Sequence, residues 1–263
     1  MENTNWLRQT PDKPLFPDLL WSRPENKRHA GKLLIVGGIS HGFAAPATAF
    51  AAADKAGIGT CRVLLPDSTQ KIIGTSFAEA IFASSTPNGS FSRQALGELL
   101  ESAEWADGVL LAGDFGRNSE TAILLESFLD KYSGQVTVAG DGIDYFLEAK
   151  SRLLSRADTV SVINLGKLQK LVKNNRRGTA ILHNMSLHEL VTVLADWTNG
   201  PPAFITKHAD NLIAAAGGKV STTPEAADSN WQIDLGSYTS VWLLQQPGKT
   251  FEALSCAAYS YCL

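Results

Sequence analysis

The stretch Lys32–Leu65, KLLIVGGISHGFAAPATAFAAADKAGIGTCRVLL, decides the fold. An apolar run, Leu33 to Val36, breaks at Gly37-Gly38 and leads into a segment made largely of alanine. A second break, Gly57-Ile58-Gly59, precedes another apolar run from Cys61 to Leu65. Strand, glycine turn, helix and parallel strand in about 30 residues make a βαβ unit. The first glycine pair falls where a strand's C-terminal end meets a helix N-terminus, which is where parallel sheets hold ligands. Close packing accounts for the alanines between Ala44 and Ala56, while the double glycine reads equally well as the border of a binding site.

Outward from this unit, strand and helix patterns keep alternating. Further strands are expected at Ala80–Ala83, Gly108–Ala112, Gln135–Ala139, Thr159–Ile163 and Ala203–Thr206. Helices are expected at Ala44–Ala56, Arg93–Trp105, Ser119–Tyr132, Tyr145–Leu154, Leu168–Asn174 and Leu187–Thr198. Ser90 or Ser92, Ser119, and Ser186 with Glu189 supply capping signals. The final third turns antiparallel, with Gly217-Gly218 as a hairpin between Leu212–Ala215 and Lys219–Ser221. Two closing helices follow, Leu235–Gln246 and Thr250–Tyr261, split by Pro247-Gly248. The pattern is α/β: a mainly parallel sheet with helices on both faces and an antiparallel edge near the C-terminus.

Residues 1–31 hold Pro11, Pro14, Pro17 and Pro24 and read as a proline-broken arm ahead of one α/β domain over 32–263. Trp6, Leu15, Phe16, Leu19, Leu20 and Trp21 make the arm too apolar for a loose tail, so it is expected to lie against the domain or a partner subunit.

Composition excludes several classes. A net charge of −3 and a pI near 6.0 argue against nucleic-acid binding. The basic cluster Lys170 to Arg177 is expected to be a solvated helix end. Three cysteines without CxxC spacing, and scattered histidines, suggest neither a disulfide framework nor a metal site. No apolar run approaches the ~18 residues of a membrane span. A cytoplasmic location is expected, with no membrane partner.

Ligands in such sheets sit beyond the strand C-termini, so four turns matter: 37–45, 112–118, 139–144 and 163–168. Each contains glycine, and Gly113-Asp114 and Gly140-Asp141 put carboxylates at two strand tips. Gly-Asp is also ordinary turn chemistry. Four such turns on one rim favour a ligand cleft.

The order of these loops resembles the ADP- or ATP-dependent NAD(P)H-hydrate dehydratases, a branch of the ribokinase-like superfamily. The resemblance spans about residues 22 to 263. His29-Ala30-Gly31, Gly37-Gly38-Ile39-Ser40, Ala44-Ala45 and Gly57-Ile58-Gly59 carry its most specific part. Gly113-Asp114-Phe115-Gly116 resembles the family's GPGLG turn with one residue fewer, and Ala139-Gly140-Asp141 keeps the second aspartate of its Asp-Ala-Asp strand end. Its Pro-His-Pro-x-Glu loop resembles Ile163–Lys167, with Asn164 for histidine and Lys167 for the acid. Lys207-His208 resembles the nucleotide-contacting Lys-Gly strand, and the glycine-rich turn ending in Gly-Asp falls on Trp231-Gln232-Ile233-Asp234.

The resemblance implies a ribokinase-like three-layer fold. It implies ADP or ATP with Mg²⁺ as cofactor, a small-molecule dinucleotide or nucleotide as ligand, and a homo-oligomer. Asp234 would be the catalytic base, Ala45, Gly113 and Asn164 would line the hydrated-nicotinamide pocket, and Lys207 and Asn211 would hold the nucleotide. The family's reaction phosphorylates the hydroxyl of the hydrated ring so that it leaves as phosphate. That chemistry needs bare backbone N–H groups at a helix N-terminus, and here Trp231, Gln232 and Ile233 replace the glycines. Three functions stay open: a hydrate dehydratase with divergent loops, whether working or with lost or weakened activity, a non-catalytic nucleotide-binding or assembly protein, and a small-molecule kinase of the ribokinase superfamily.

Overall fold

The computed structural model describes residues 5–74, 76–148, 150–175, 178–225 and 231–263. Strands form along apolar and β-branched runs, with glycine or proline confined to the ends of β2, β3, β5 and β10. In chain order the first elements are β1 (Trp6–Arg8), α1 (Pro17–Trp21), β2 (Lys32–Gly37), α2 (Ala44–Lys55), β3 (Thr60–Pro66), α3 (Gln70–Ile73) and β4 (Ala80–Ala83). There follow α4 (Leu96–Trp105), β5 (Gly108–Gly113), α5 (Ser119–Lys131), β6 (Gln135–Val138), β7 (Thr159–Val162), α6 (Leu165–Asn175) and α7 (Leu187–Trp197). The last third holds β8 (Ala203–His208), β9 (Asn211–Ala216), β10 (Lys219–Pro224), α8 (Trp231–Gln245) and α9 (Thr250–Tyr261).

Among the described residues, ten strands share one sheet in the order β1-β10-β9-β8-β7-β6-β5-β2-β3-β4. Neighbours are parallel except at β8–β9 and β9–β10. The antiparallel pair β9–β10 turns through Gly217 and Gly218, both at positive φ, as the hairpin expectation required.

Alternate residues of each strand feed two cores. Leu34 and Val36 pack toward α4, α5, α6 and α7, while Leu33 and Ile35 pack toward α2, α8 and α9. All four are fully buried, as a parallel sheet covered on both faces demands. Each such side chain contributes ~1.5–3 kcal/mol. The alanine face of α2 (Ala49, Ala52, Ala53) lets it lie close beside α8. Gly236 does the same for α8 against the sheet: a Cβ there would stand 2.9 Å from that of Ala139.

The arm lies against the fold. β1 adds parallel to β10, and Gln9, 2% exposed, donates from Nε2 to Thr223 Oγ1 at 2.7 Å and the Ser255 carbonyl at 2.8 Å. Phe16 meets Phe251 edge-on. Arg23 stacks on Trp242 and donates to the Ala56 carbonyl at the end of α2.

Three segments depart from expectation, and in one of them α6 begins at Leu165 rather than Leu168, inside the expected 163–168 turn. Residues 145–154 do not form one α-helix: a 3₁₀ turn covers Gly140–Phe146, Lys150 takes a positive φ, and Ser151 caps a separate turn at Arg152–Leu154. The closing helix begins at Trp231 rather than Leu235, so Asp234 stands inside its first turn.

Gly37 fixes how closely β2 and β5 approach at their ends. A Cβ there would lie 2.3 Å from the Gly113 carbonyl oxygen and 2.9 Å from Pro46 Cγ. Neither neighbour is the far end of a flexible chain. Gly37→Ala is therefore expected to destabilise the protein by about 3 kcal/mol, read as a lower urea midpoint at unchanged slope; an unshifted midpoint contradicts this packing.

Candidate binding cleft at the strand ends

The glycines that end β2 and β5 build the floor of a cleft. Gly37 pairs with Gly113 across a register shift, and Gly38 N–H donates to the Gly113 carbonyl at 3.0 Å. Gly113 (φ +123), Asp114 (φ +58) and Gly116 (φ +71) turn the chain sharply after β5. Left-handed geometry is uncommon for a residue other than glycine, though aspartate tolerates it better than most. Phe115 anchors this turn in the core at 0% exposure, and Tyr145 Oη donates to the Gly116 carbonyl at 2.5 Å.

The resulting cleft, about 380 Å³, is lined by Ala44, Ala45 and Thr48 of α2, by Ala112, Gly113, Asp114, Gly140, Asp141 and Lys167, and by Gln232 and Ile233 of α8. Its position beyond the strand C-termini follows the general rule for open α/β sheets.

Charge inside the cleft is arranged by the protein's own carboxylates. Asp114 Oδ2 accepts from the Ala45 N–H at 2.7 Å, which caps α2 where Phe43 offers no side-chain cap. A negative charge there suits the positive end of the helix. Asp141 faces the backbone N–H groups of Asp114 and Phe115, and its Oδ1 is buried with no hydrogen-bond partner among the described residues. Burial first, then the neighbouring Asp114 charge, raise the Asp141 pKa above the usual carboxylate value; the two amides and Lys167 oppose this. Lys167 donates from Nζ to the Gly140 carbonyl at 2.9 Å and to Asp144 Oδ2 at 3.0 Å, closing one wall.

The start of α8 forms the opposite wall. Ile233 leans over the floor, its Cδ1 2.6 Å from where a Cβ on Gly140 would stand. Gln232 Nε2 donates to the Val162 carbonyl, and Trp231 is 8% exposed in the core rather than in the cleft.

Of the residues singled out from sequence, Ala45 and Gly113 meet in this cleft. Asn164 sits at the β7–α6 turn, where its Oδ1 accepts from the Lys167 N–H at 2.8 Å; it does not line the cleft. Asp234 is half-buried one residue past the lining pair Gln232 and Ile233. Lys207, at the end of β8, is paired with Glu225 at 2.7 Å, and the two side chains are 17% and 7% exposed. Asn211 opens β9, with Nδ2 donating to the Ala209 carbonyl. Asp114, Asp141 and Lys167 were not assigned roles from sequence, although the repeated Gly-Asp at two strand tips was their signal. Among the described residues no group of three or more His, Cys, Asp and Glu side chains converges as a metal site would, and no helix is long and apolar enough to cross a membrane.

Sheet order, two helical layers and a cleft at the strand ends make up a ribokinase-like α/β fold. Comparison with known proteins agrees. A ribokinase-like superfamily protein from Enterococcus faecalis superposes with a TM-score of 0.74 at 15% identity, covering 100% of this chain and 88% of the other. The ADP/ATP-dependent NAD(P)H-hydrate dehydratase of Bacillus subtilis, co-crystallised with ATP and Mg²⁺, gives 0.64 at 12% identity over 95% of this chain and 87% of its own. In sequence, the bifunctional NAD(P)H-hydrate repair enzyme Nnr of Methanothermobacter thermautotrophicus is 35% identical over 97 residues, a match spanning 37% of this chain and 18% of that enzyme. No family model matches the chain.

Because the Asp141 pKa is raised on folding, its charged form costs stability once pH climbs past the unfolded carboxylate value, and the cost grows until the folded group ionises. Asp141→Asn is expected to melt above the wild type at neutral pH, with the advantage shrinking in mild acid. A difference that does not change with pH contradicts the assignment.

Proposed function

We propose that this chain is an NAD(P)H-hydrate dehydratase-like protein that keeps a cleft for the nicotinamide end of a dinucleotide and has lost most of the nucleotide-driven dehydration. The observation that carries this reading is Ile233 over Gly140: the glycine turns leave a cleft, but the start of α8 presents side chains to it where phosphoryl transfer needs bare amides. Loss of one anion-hole donor costs roughly 10²–10³ in rate, and here the glycines of the whole turn are replaced.

The nucleotide side supports the same reading. A phosphate recruited by Lys207 would compete with Glu225, a nearly buried carboxylate already against its ammonium group. Breaking such a pair leaves a buried charge uncompensated. The residues present therefore do not fit ADP or ATP held for transfer at the α8 N-terminus, and Asp234 is assigned no proton transfer. A small-molecule kinase would need the same bare-amide seat, so it gains nothing from this geometry.

The test uses hydrated NADH or NADPH with Mg²⁺ and ADP or ATP, following recovery of the reduced-nicotinamide absorbance. The expected outcome is a thermal stabilisation by the dinucleotide without nucleotide-dependent recovery; a ligand at 100 times its Kd adds about 2.7 kcal/mol. Nucleotide-dependent turnover that Asp234→Asn abolishes would restore a working dehydratase. No stabilisation by any dinucleotide would remove the binding role.

A further inference from the structure

A second and larger cavity, about 710 Å³, adjoins the cleft. Asp141 lines both, so the two are neighbours on either side of that side chain. Gly116, Arg117, Asn118, Ser119, Asp144, Tyr145 and Lys170 belong to this outer groove. Its charges are not all internally used. Lys167 is engaged by Asp144 and the Gly140 carbonyl. Arg117 and Lys170 are exposed and, among the described residues, form neither an ion pair nor a hydrogen bond.

The cleft and the groove differ in their free charge: the outer groove holds Asp141, Asp144 (paired with Lys167) and the two cations, while the inner cleft holds Asp114, Asp141 and Lys167, whose ammonium is already engaged. In the inner cleft, Asp114 already satisfies the α2 amide and Asp141 already faces the amides of the β5 turn. An anionic group entering there would meet two carboxylates, so the inner cleft suits an uncharged ring with hydrogen-bond donors. Any phosphate on the same ligand must lie outward, where the two unpaired cations are. Arginine and lysine both bind phosphate strongly, arginine with two parallel donors. We infer that Arg117 and Lys170 hold the diphosphate bridge of a nicotinamide dinucleotide whose ring occupies the inner cleft. This inference rests on the dinucleotide reading above and gives a role to Arg117 and to Lys170, the latter expected from sequence to be only part of a solvated helix end.

The experiment titrates the full chain with NADH, with reduced nicotinamide riboside (the ring and sugar without phosphate) and with ADP. Wild type is compared with the double variant Arg117→Gln/Lys170→Gln and with Ala45→Phe, which fills the inner cleft. Both cations are exposed, so the double variant is expected to keep the wild-type Tm. NADH affinity is expected to fall by about tenfold or more in the double variant, with a flatter salt dependence, while riboside affinity stays unchanged. Ala45→Phe is expected to weaken both. Unchanged NADH binding in the double variant, with the riboside still bound, overturns the phosphate assignment and leaves the cleft reading intact. ADP binding that needs Arg117 and Lys170, combined with NADH binding indifferent to Ala45→Phe, makes the groove a separate nucleotide site and also overturns it. A wild type that binds neither NADH nor the riboside defeats the cleft reading and this inference together.

Discussion

Backbone meeting backbone at the ends of β2, β5 and β6 is the constraint on which the rest depends. Gly37 lies against the Gly113 carbonyl, Gly113 against Asp141 Oδ1, and Gly140 against both Ile233 and the Ala112 carbonyl, each at a distance that leaves no room for a methyl group. Side chains at these three positions would lift β5 away from β2 and push α8 off the sheet. Their absence lets α2 and α8 converge on one short rim. The alanine face of α2 and Gly236 of α8 extend the same close approach along the helices.

Electrostatics then decides what that rim accepts. A helix N-terminus beside a glycine turn is ordinarily ready to take an anion, yet here Asp114 supplies that anion from within the chain, and Asp141 faces the amides of the β5 turn. The fold is ribokinase-like, and the rim carries two carboxylates of its own. At the far wall, Gln232 and Ile233 present side chains to the cleft, and Lys207, at the end of β8, is paired with Glu225.

How much of this was legible in the sequence depends on range. The βαβ unit from Lys32 to Leu65, the Gly217-Gly218 hairpin and the Ser186–Glu189 capping box are local signals, and each appears in the structure. The β1–β10 pairing escaped because a three-residue strand more than 200 positions from its partner leaves no periodicity to read. The break within residues 145–154 escaped because Lys150 takes a left-handed conformation that its residue type does not announce. In the site, loop order pointed to Asp234, but which side chain enters a cleft is a matter of helix phase. Starting α8 at Trp231 turns Gln232 and Ile233 inward and leaves Asp234 outside the lining, since each step along a helix rotates about 100°. Asp141 was visible as a strand-tip carboxylate, but its burial and its proximity to Asp114 exist only in three dimensions.

The most direct test of the account is a crystal structure of the protein soaked with a reduced nicotinamide dinucleotide. The account predicts density for the ring between Ala45, Gly113 and Asp141, with Ile233 in van der Waals contact and the α8 N-terminus free of phosphate. Density placing phosphate oxygens on the α8 amides, with the Ile233 side chain swung away and Lys207 released from Glu225, would contradict it.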